Sequence, residues 1–124
     1  MRLTVDCRND VHNQDIEVAN ADIDVAISWL NKLDGRRHTL LNLERSDGVR
    51  LMIGGGPSWF IIVLEDEGSN LTLQNPVGAE SEMIELCAGG QYGDYPKAYC
   101  VDQKQSEQTM VLFFEGNESN AAWE

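Results

Sequence analysis

Val49–Pro76, which reads VRLMIGGGPSWFIIVLEDEGSNLTLQNP, is the stretch that decides the fold. It contains the two densest apolar runs of the chain, Leu51–Ile53 and Trp59–Leu64. Gly54–Pro57 separates these runs, and Asp66–Asn70 ends the second. Short runs of apolar, β-branched and aromatic residues bounded by Gly, Pro and Asn are typical of β-strands. The stretch therefore predicts an antiparallel meander of adjacent strands joined by short turns.

The second of these runs, Trp59–Leu64, is apolar at every position rather than at every second one. A strand with this pattern is usually covered on both faces. We therefore expect it to be central in the sheet. The remaining segments must either pair with the meander or cover it.

A helix is predicted upstream of the meander, over residues 21–34. Asn20 or Asp22 can cap its first turn, and Asp34 with Gly35 supplies a left-handed stop. Its apolar residues recur at helical spacing and share one face. They are Ile23, Ala26, Ile27, Leu30 and Leu33. We expect this face to cover the sheet.

Several shorter segments alternate apolar and polar residues, as half-buried strands do. Leu3–Cys7 is predicted as a first strand at an edge of the sheet. His38–Arg45 is predicted as a strand that leads into an Asp-Gly hairpin turn at Ser46–Gly48. Glu80–Leu86 is predicted as a further strand. Asn9–Asn20 is polar with little periodicity, and we interpret it as a connection.

The last third of the chain contains a Gly-rich segment and an ambiguous apolar run. Ala88–Pro96 is predicted as a loop from its composition. Met110–Phe114 is continuously apolar, which fits a buried strand. The same run fits a helix over about 106–115, because its apolar positions recur at helical spacing and Gly116 can end it. Periodicity alone leaves both alternatives open.

Composition indicates a single soluble domain, residues 1–124. The apolar fraction of 42% is ordinary for a folded protein, and the chain shows no internal repeat. No apolar run is long enough to cross a bilayer. Arg2 and Asp6 stand where a secretory signal would carry its apolar segment. We therefore expect a cytoplasmic protein.

The charge balance is strongly acidic, since 21 Asp and Glu residues face 9 Lys and Arg residues, for a net charge of −12. Binding to nucleic-acid phosphates needs clustered cations, so direct nucleic-acid binding is not expected. Anionic membrane surfaces are disfavoured for the same reason. A basic protein partner is favoured, because long-range attraction raises the encounter rate. The alternative is that the acids only keep the protein soluble.

The sequence contains no recognisable catalytic, cofactor or metal motif. Cys7, Cys87 and Cys100 are odd in number and irregular in spacing, which indicates neither a disulfide framework nor a zinc site. We expect reduced cysteines that pack as small apolar residues. Gly54–Pro57 lacks the Lys and Ser or Thr of a phosphate-binding loop, and we interpret it as a turn between strands. No cofactor is expected.

Tyrosines in and beside the Gly-rich segment are candidate contact residues. Tyr92, Tyr95 and Tyr99 are close in sequence, and Asp94 lies between the first two. Tyr with acids and glycines on a loop is typical of protein-binding surfaces, because the ring is rigid and amphipathic. The alternative is that the rings pack back onto the edge of the sheet. Trp123 is expected to fold back and cover the sheet.

Several motifs occur together in an order that resembles a known family. They are Leu51–Gly56 before an aromatic strand, Leu71–Pro76, Gly89–Gln91 followed by Tyr95 and Pro96, Phe114–Gly116, and the closing Trp123 and Glu124. This pattern resembles the Imm1 family of bacterial immunity proteins, which are encoded beside polymorphic toxins. The resemblance covers Val49–Glu124 and rests on the order and spacing of the motifs, since none of them is specific alone.

This resemblance implies an antitoxin and not an enzyme. Such a protein binds the C-terminal domain of one cognate toxin and occludes its active site or substrate groove. The toxins include nucleic-acid deaminases, whose substrate clefts must be basic, and an acidic inhibitor can fill such a cleft. The resemblance also favours the helix for Met110–Phe114. The expected fold is then α+β, with an antiparallel meander sheet covered by helices over about 21–34 and 106–115.

The surface predicted to meet the toxin combines the Gly-rich segment with the acids that follow the second apolar run. The predicted contact residues are Tyr92, Asp94, Tyr95, Glu65, Asp66 and Glu67. The alternative function is a small acidic α+β enzyme or ligand-binding domain with a pocket in the sheet. A concave pocket containing carboxylates of raised pKa favours that alternative, whereas a flat acidic surface favours the antitoxin.

Overall fold

The computed structural model describes residues 1–124. Its strands are β1 (Arg2–Val5), β2 (Arg8–Asn9), β3 (His12–Asn13), β4 (Ile16–Val18), β5 (Leu40–Glu44), β6 (Arg50–Gly55), β7 (Phe60–Asp66), β8 (Ser69–Thr72), β9 (Met83–Ala88) and β10 (Gln91–Pro96). Its α-helices are α1 (Ile23–Leu30) and α2 (Gln103–Glu115), and short 3-10 turns lie at Lys97–Tyr99 and Glu118–Asn120. Neither α-helix has the length and hydropathy required to cross a membrane.

Six strands form one antiparallel sheet in the order β4-β1-β5-β6-β7-β8. Strands β5 to β8 follow one another as a meander, as predicted from the sequence. The fold is α+β, which confirms the predicted class. Strands β9 and β10 form a separate two-stranded sheet, and β2 and β3 form another.

The hydrophobic core lies between the sheet and the two helices. Two cross-strand rows form its sheet side, Leu3, Leu43, Leu51 and Leu64 in one row and Val5, Leu41, Ile53 and Ile62 in the other. Its helical side consists of Ala26 and Leu30 from α1 with Met110 and Phe113 from α2. Burying a large apolar side chain stabilises a fold by roughly 1.5–3 kcal/mol. These rows therefore fix which face of the sheet the helices cover.

Strand β7 is covered by the core on one face only, so the expectation of a strand covered on both faces is wrong. Phe60, Ile62 and Leu64 are buried in the core. Ile61 and Val63 lie on the opposite face and are half-buried. The strand is also next to the edge strand rather than central. Both helices lie on the same side of the sheet, and the other face has no full second layer.

Helix α1 is shorter than the predicted range 21–34. Asp22 caps it and accepts a hydrogen bond from the backbone N–H of Val25 at 2.8 Å. The helix ends at Asn31. The following residues form a tighter turn, in which the N–H of Leu33 bonds three residues back. Leu33 is buried, so its helical spacing reflects a core position and not a helical backbone.

Helix α2 contains Met110–Phe114, which resolves the ambiguity of this run in favour of the helix. It begins at residue 103, ahead of the predicted range 106–115. The reason is a capping box, in which Asp102 and Gln105 each accept a hydrogen bond from the other's backbone N–H. Gly116 ends the helix in the left-handed conformation, with φ 76°.

Two segments with weak strand signals are strands in the structure. Asn9–Asn20, predicted as a connection, contains β4, which pairs with β1 and occupies the edge position expected for Leu3–Cys7. Ala88–Pro96, predicted as a loop, turns at Gly89 and Gly90 and continues as β10 along β9. The apolar pattern of both strands is weak. Their extended conformation is therefore explained by pairing with a neighbouring strand.

The β9–β10 hairpin docks on the end of β6, where two glycines leave room for it. A Cβ atom at Gly54 would lie 2.6 Å from the Cβ of Ala88. A Cβ atom at Gly55 would lie 3.2 Å from Leu86 Cδ2. Both distances are shorter than ordinary van der Waals contact. The two glycines therefore allow the β9–β10 hairpin to approach β6 closely, in addition to leading into the turn that follows them.

The C-terminal tail closes part of the edge at β8. Thr72 and Glu124 exchange backbone hydrogen bonds of 2.9 Å, and Leu73 forms a bridge with Trp123. The ring of Trp123 packs against the core, and its Nε1 donates to the carbonyl oxygen of Glu118 at 2.7 Å. The expectation that Trp123 folds back onto the sheet is confirmed.

Candidate partner-binding surface

The six predicted contact residues fall into two groups at opposite ends of the sheet. Tyr92, Asp94 and Tyr95 lie on β10, the strand of the hairpin that pairs with β9, and β9 docks beside Gly54. Glu65–Glu67 lies at the far end of β7 and in the turn after it. Gly54 pairs with the second residue of β7, and Glu65 follows four residues later, about 13 Å along the strand. The structure therefore does not bring the two groups into one contact surface.

The outward side of the hairpin is an exposed face with acidic and apolar side chains. The antiparallel register places Glu85 opposite Asp94, and the alternation of side chains puts Met83, Tyr92 and the buried Cys87 on the same face. Tyr92 is 69% exposed and Met83 is 55% exposed. These four residues, Met83, Glu85, Tyr92 and Asp94, are called the hairpin face below.

Glu85 and Asp94 are both exposed, and neither forms an ion pair. Like charges directly opposite each other destabilise an antiparallel pair of strands. The hairpin thus retains an electrostatic cost that a cationic partner would remove. Sequence analysis selected Asp94 but missed Glu85, because only the register of β9 against β10 reveals that they are neighbours.

Tyr95 lies on the other side of the hairpin. It pairs with Ile84 and is half-buried. A Cβ atom at Gly93 would lie 3.3 Å from the ring of Tyr95, so the ring covers the backbone of its own strand. Of the two tyrosines on β10, Tyr92 is therefore the one that is open to a partner.

The hairpin turn is fastened to the sheet through a buried carboxylate. Asp6 is 4% exposed and accepts hydrogen bonds from Thr39 N at 2.6 Å, Leu40 N at 3.0 Å and Arg8 Nε at 2.6 Å. The hydroxyl of Thr39 also donates to Asp6. The same hydroxyl oxygen accepts a hydrogen bond of 3.0 Å from the N–H of Gly90 in the hairpin turn. Asp6, Thr39 and Gly90 therefore form one continuous link.

This environment keeps the Asp6 carboxylate ionised. Burial alone raises the pKa of a carboxyl group, but the hydrogen bonds from Thr39, Arg8 and Leu40 outweigh burial and lower the pKa of Asp6. Sequence analysis missed this residue. Its only sequence signal is a single acid within an alternating strand, and such acids are common on protein surfaces.

The three predicted acids at the end of β7, Glu65, Asp66 and Glu67, differ in whether they form an ion pair. Glu65 pairs with Arg50 across the two strands at 2.5 Å. Asp66 and Glu67 are exposed, and Glu67 lies in the turn with φ 51°. Two of the three predicted acids therefore have carboxylates without an ionic partner at this end.

The face of the sheet opposite the core has two adjoining polar depressions, each of about 240 Å³. They share Thr4 and Asn42. Asp6 and Arg8 line the second depression, where their ion pair of 2.6 Å lies. A proton donor in a catalytic site needs a raised pKa, whereas the pKa of Asp6 is lowered.

The three cysteines are unpaired. Cys87 and Cys100 are buried, and burial raises the pKa of both thiols. They remain protonated at neutral pH and pack as small apolar groups, as expected from the sequence. No group of three or more His, Cys, Asp or Glu side chains is placed to hold a metal ion.

No family model and no curated protein sequence matches the chain.

Proposed function

We propose that this chain is an immunity protein that binds and inhibits a cognate bacterial toxin domain. The toxin is a nucleic-acid-targeting enzyme such as a deaminase, and inhibition occurs by occlusion of its active site. The order of motifs that resembles the Imm1 family supports this proposal. The acidic composition supports it independently, because an enzyme that acts on nucleic acid has a basic substrate cleft.

The observation that carries the proposal is the hairpin face. Glu85 and Asp94 lie opposite each other without cations, and the exposed ring of Tyr92 lies beside them. A basic protein surface would neutralise the two carboxylates and bury the ring. Aromatic residues in such positions contribute strongly to protein–protein affinity. The face belongs to a hairpin outside the main sheet, so it can project into a cleft.

A second candidate function is binding of a small ligand in the depressions of the open sheet face. Pockets for small molecules are usually lined by apolar and aromatic side chains. The depression bordered by Arg2, Glu44 and Arg50 has no apolar lining residue. Its polarity fits a contact with a polar or charged group better than a buried small molecule. We therefore favour the antitoxin.

The proposal is tested by co-expression with the toxin-like reading frame immediately upstream of this gene. We expect growth arrest from that frame alone, restored growth when this protein is present, and co-purification of the two products. Growth arrest without rescue, or the absence of any toxic neighbour, contradicts the proposed function.

The hairpin face is tested by charge reversal in the same assay. The double variant E85K/D94K should weaken the complex at least about tenfold, because close charge pairs across interfaces contribute strongly to affinity. A matched control is D24K/E115K, which changes the net charge equally at exposed positions on the two helices. Equal effects of both variants on affinity would show that only total charge matters.

A further inference from the structure

The outer edge of β10 is a strand edge without a hydrogen-bonded neighbour. Strand β10 pairs with β9 on one side only. The other strand of the hairpin, β9, lies against β6, where Ala88 and Leu86 meet Gly54 and Gly55. The hairpin therefore turns the edge of β10 away from the main sheet. This edge is six residues long, whereas the edge strand β4 of the main sheet has three residues.

The register of the hairpin determines which backbone groups this edge presents. The N–H of Lys97 donates to the carbonyl oxygen of Glu82 at 2.8 Å, so these two residues form a hydrogen-bonded pair. Hydrogen-bonded and non-hydrogen-bonded pairs alternate along an antiparallel ladder. Tyr92 and Asp94 therefore occupy non-hydrogen-bonded positions, and their N–H and C=O groups point away from β9. No backbone hydrogen bond outside the hairpin involves either residue.

The free part of the edge is short and has a defined end. Pro96 has no N–H, and its carbonyl oxygen accepts a hydrogen bond from Cys100 Sγ at 3.5 Å. The turn at Gly89 and Gly90 closes the other end. Between these limits Tyr92 and Asp94 are exposed. An unpaired strand edge is a template for pairing with another strand, so this one can accept a single short extended segment.

Charge decides which segment fits this edge. Asp94 and Glu85 lie opposite each other on the hairpin face without ion pairs. A second copy of this chain, paired antiparallel through Tyr92 and Asp94, would gather the carboxylates of both hairpins on one face. Like charges on paired strands destabilise the pairing, whereas opposite charges stabilise it. The edge therefore favours a cationic strand over a copy of itself.

We propose that β10 binds the toxin by strand addition. An extended segment of the toxin pairs with the N–H and C=O groups of Tyr92 and Asp94, and a Lys or Arg of that segment lies beside the Asp94 carboxylate. This inference rests on the proposed function and names how the hairpin engages its partner. In such complexes the main-chain hydrogen bonds give affinity, and the alternate side chains give specificity.

The first test is NMR of the isotope-labelled complex with the toxin. Amide exchange of Tyr92 and Asp94 should slow by about 100-fold or more on binding, because both N–H groups become bonded. Gly93 and Tyr95 are already bonded to β9, so their exchange should change less. A scalar coupling should join the Asp94 N–H to a toxin carbonyl carbon. Inhibition of the toxin without this slowing and this coupling overturns strand addition and leaves the immunity function intact.

The variants D94P and E85P form a matched pair. Each removes one carboxylate from the hairpin face and places Pro at a non-hydrogen-bonded position, where the hairpin loses no bond. Only D94P removes a donor from the free edge. Toxin affinity should therefore fall about tenfold further in D94P than in E85P. Urea unfolding checks that both variants are folded. Equal affinities of the two folded variants overturn strand addition.

A peptide probe tests the edge without the toxin. The acetylated and amidated peptide Thr-Lys-Val-Lys-Thr, titrated into ¹⁵N-labelled free protein, should give saturable shifts at Tyr92–Asp94. The analogue with Glu in place of both Lys should bind several-fold more weakly. Saturable binding of the basic peptide without any toxic neighbour supports the binding edge and contradicts the immunity function. Equal binding of the two peptides, or a free protein that is dimeric with a protected Asp94 amide, overturns the proposal.

Discussion

Asp6 shows how a single residue controls the position of the candidate surface. Its ionised carboxylate accepts hydrogen bonds from Thr39, Leu40 and Arg8 in a site that is almost closed to solvent. Hydrogen bonds to charged groups are worth more than those between neutral groups. Since Thr39 also holds Gly90, the position of the hairpin turn depends on this carboxylate.

The variant D6N should lower the free energy of unfolding by about 2–3 kcal/mol, because the amide loses the charge and one acceptor oxygen. Urea unfolding measures the change. The control D24N alters an exposed acid in the first turn of α1 and should cost less than about 0.5 kcal/mol. Equal effects of D6N and D24N would contradict the role assigned to Asp6.

The same residue predicts a pH dependence of stability. The pKa of Asp6 is lowered in the folded state, so ionisation contributes stability above the unfolded pKa of about 3.9. That contribution is lost as the pH falls through the folded pKa. The difference in unfolding free energy between the wild type and D6N should be constant near neutral pH and narrow below about pH 4. A difference that is constant down to pH 2 would contradict this explanation.

Among the elements, the β9–β10 hairpin depends on its contacts with the rest of the molecule for its order. A two-stranded hairpin is marginally stable alone in water, so its order depends on docking. The docking relies on the absence of side chains at Gly54 and Gly55, next to Ala88 and Leu86. It also relies on the bond between Thr39 and the hairpin turn.

The variant G54A should destabilise the protein by about 1–3 kcal/mol, because the added methyl group meets Ala88 at 2.6 Å. Amide hydrogen exchange in β10 should become faster in the same variant, since the hairpin is displaced first. The double variant G54A/A88G removes the clash and should recover part of the stability. If A88G adds its own cost without any recovery, the close approach is not the cause.

For the whole molecule, charge is the dominant property. A net charge of −12 on 124 residues destabilises the compact state through self-repulsion and attracts a cationic partner. Both effects are long-range and are screened by salt. The free protein and its complex should therefore respond to salt in opposite directions.

Raising the ionic strength from about 0.01 M to about 0.15 M shortens the Debye length from about 30 Å to about 8 Å. Over this range we expect the free protein to gain roughly 1 kcal/mol in unfolding free energy, and its association with the toxin to slow by about tenfold or more. Chemical denaturation and stopped-flow binding measure the two quantities. An association rate that does not change with salt would show that acidity serves solubility alone.

Sequence periodicity predicted the elements that carry their own apolar pattern. The strands around Leu51–Ile53, the helical face of Ala26 and Leu30, and the fold class are all correct. The predicted positions failed where pairing with another segment decides the conformation, as in Asn9–Asn20 and Ala88–Pro96. Among the predicted contact residues, Tyr92 and Asp94 are exposed together while Glu65 is paired with an arginine, and their role in binding stays a prediction.

The sequence by itself determined the acidity, the meander and the amphipathic character of helix α1, because these depend on composition and on local spacing. Only the tertiary structure decided that both helices cover the same face and that Glu85 stands opposite Asp94. It also decided that Asp6 reaches the hairpin turn through Thr39. These relations join residues that are distant in the chain, and they arise from strand register and close packing, which no local pattern encodes.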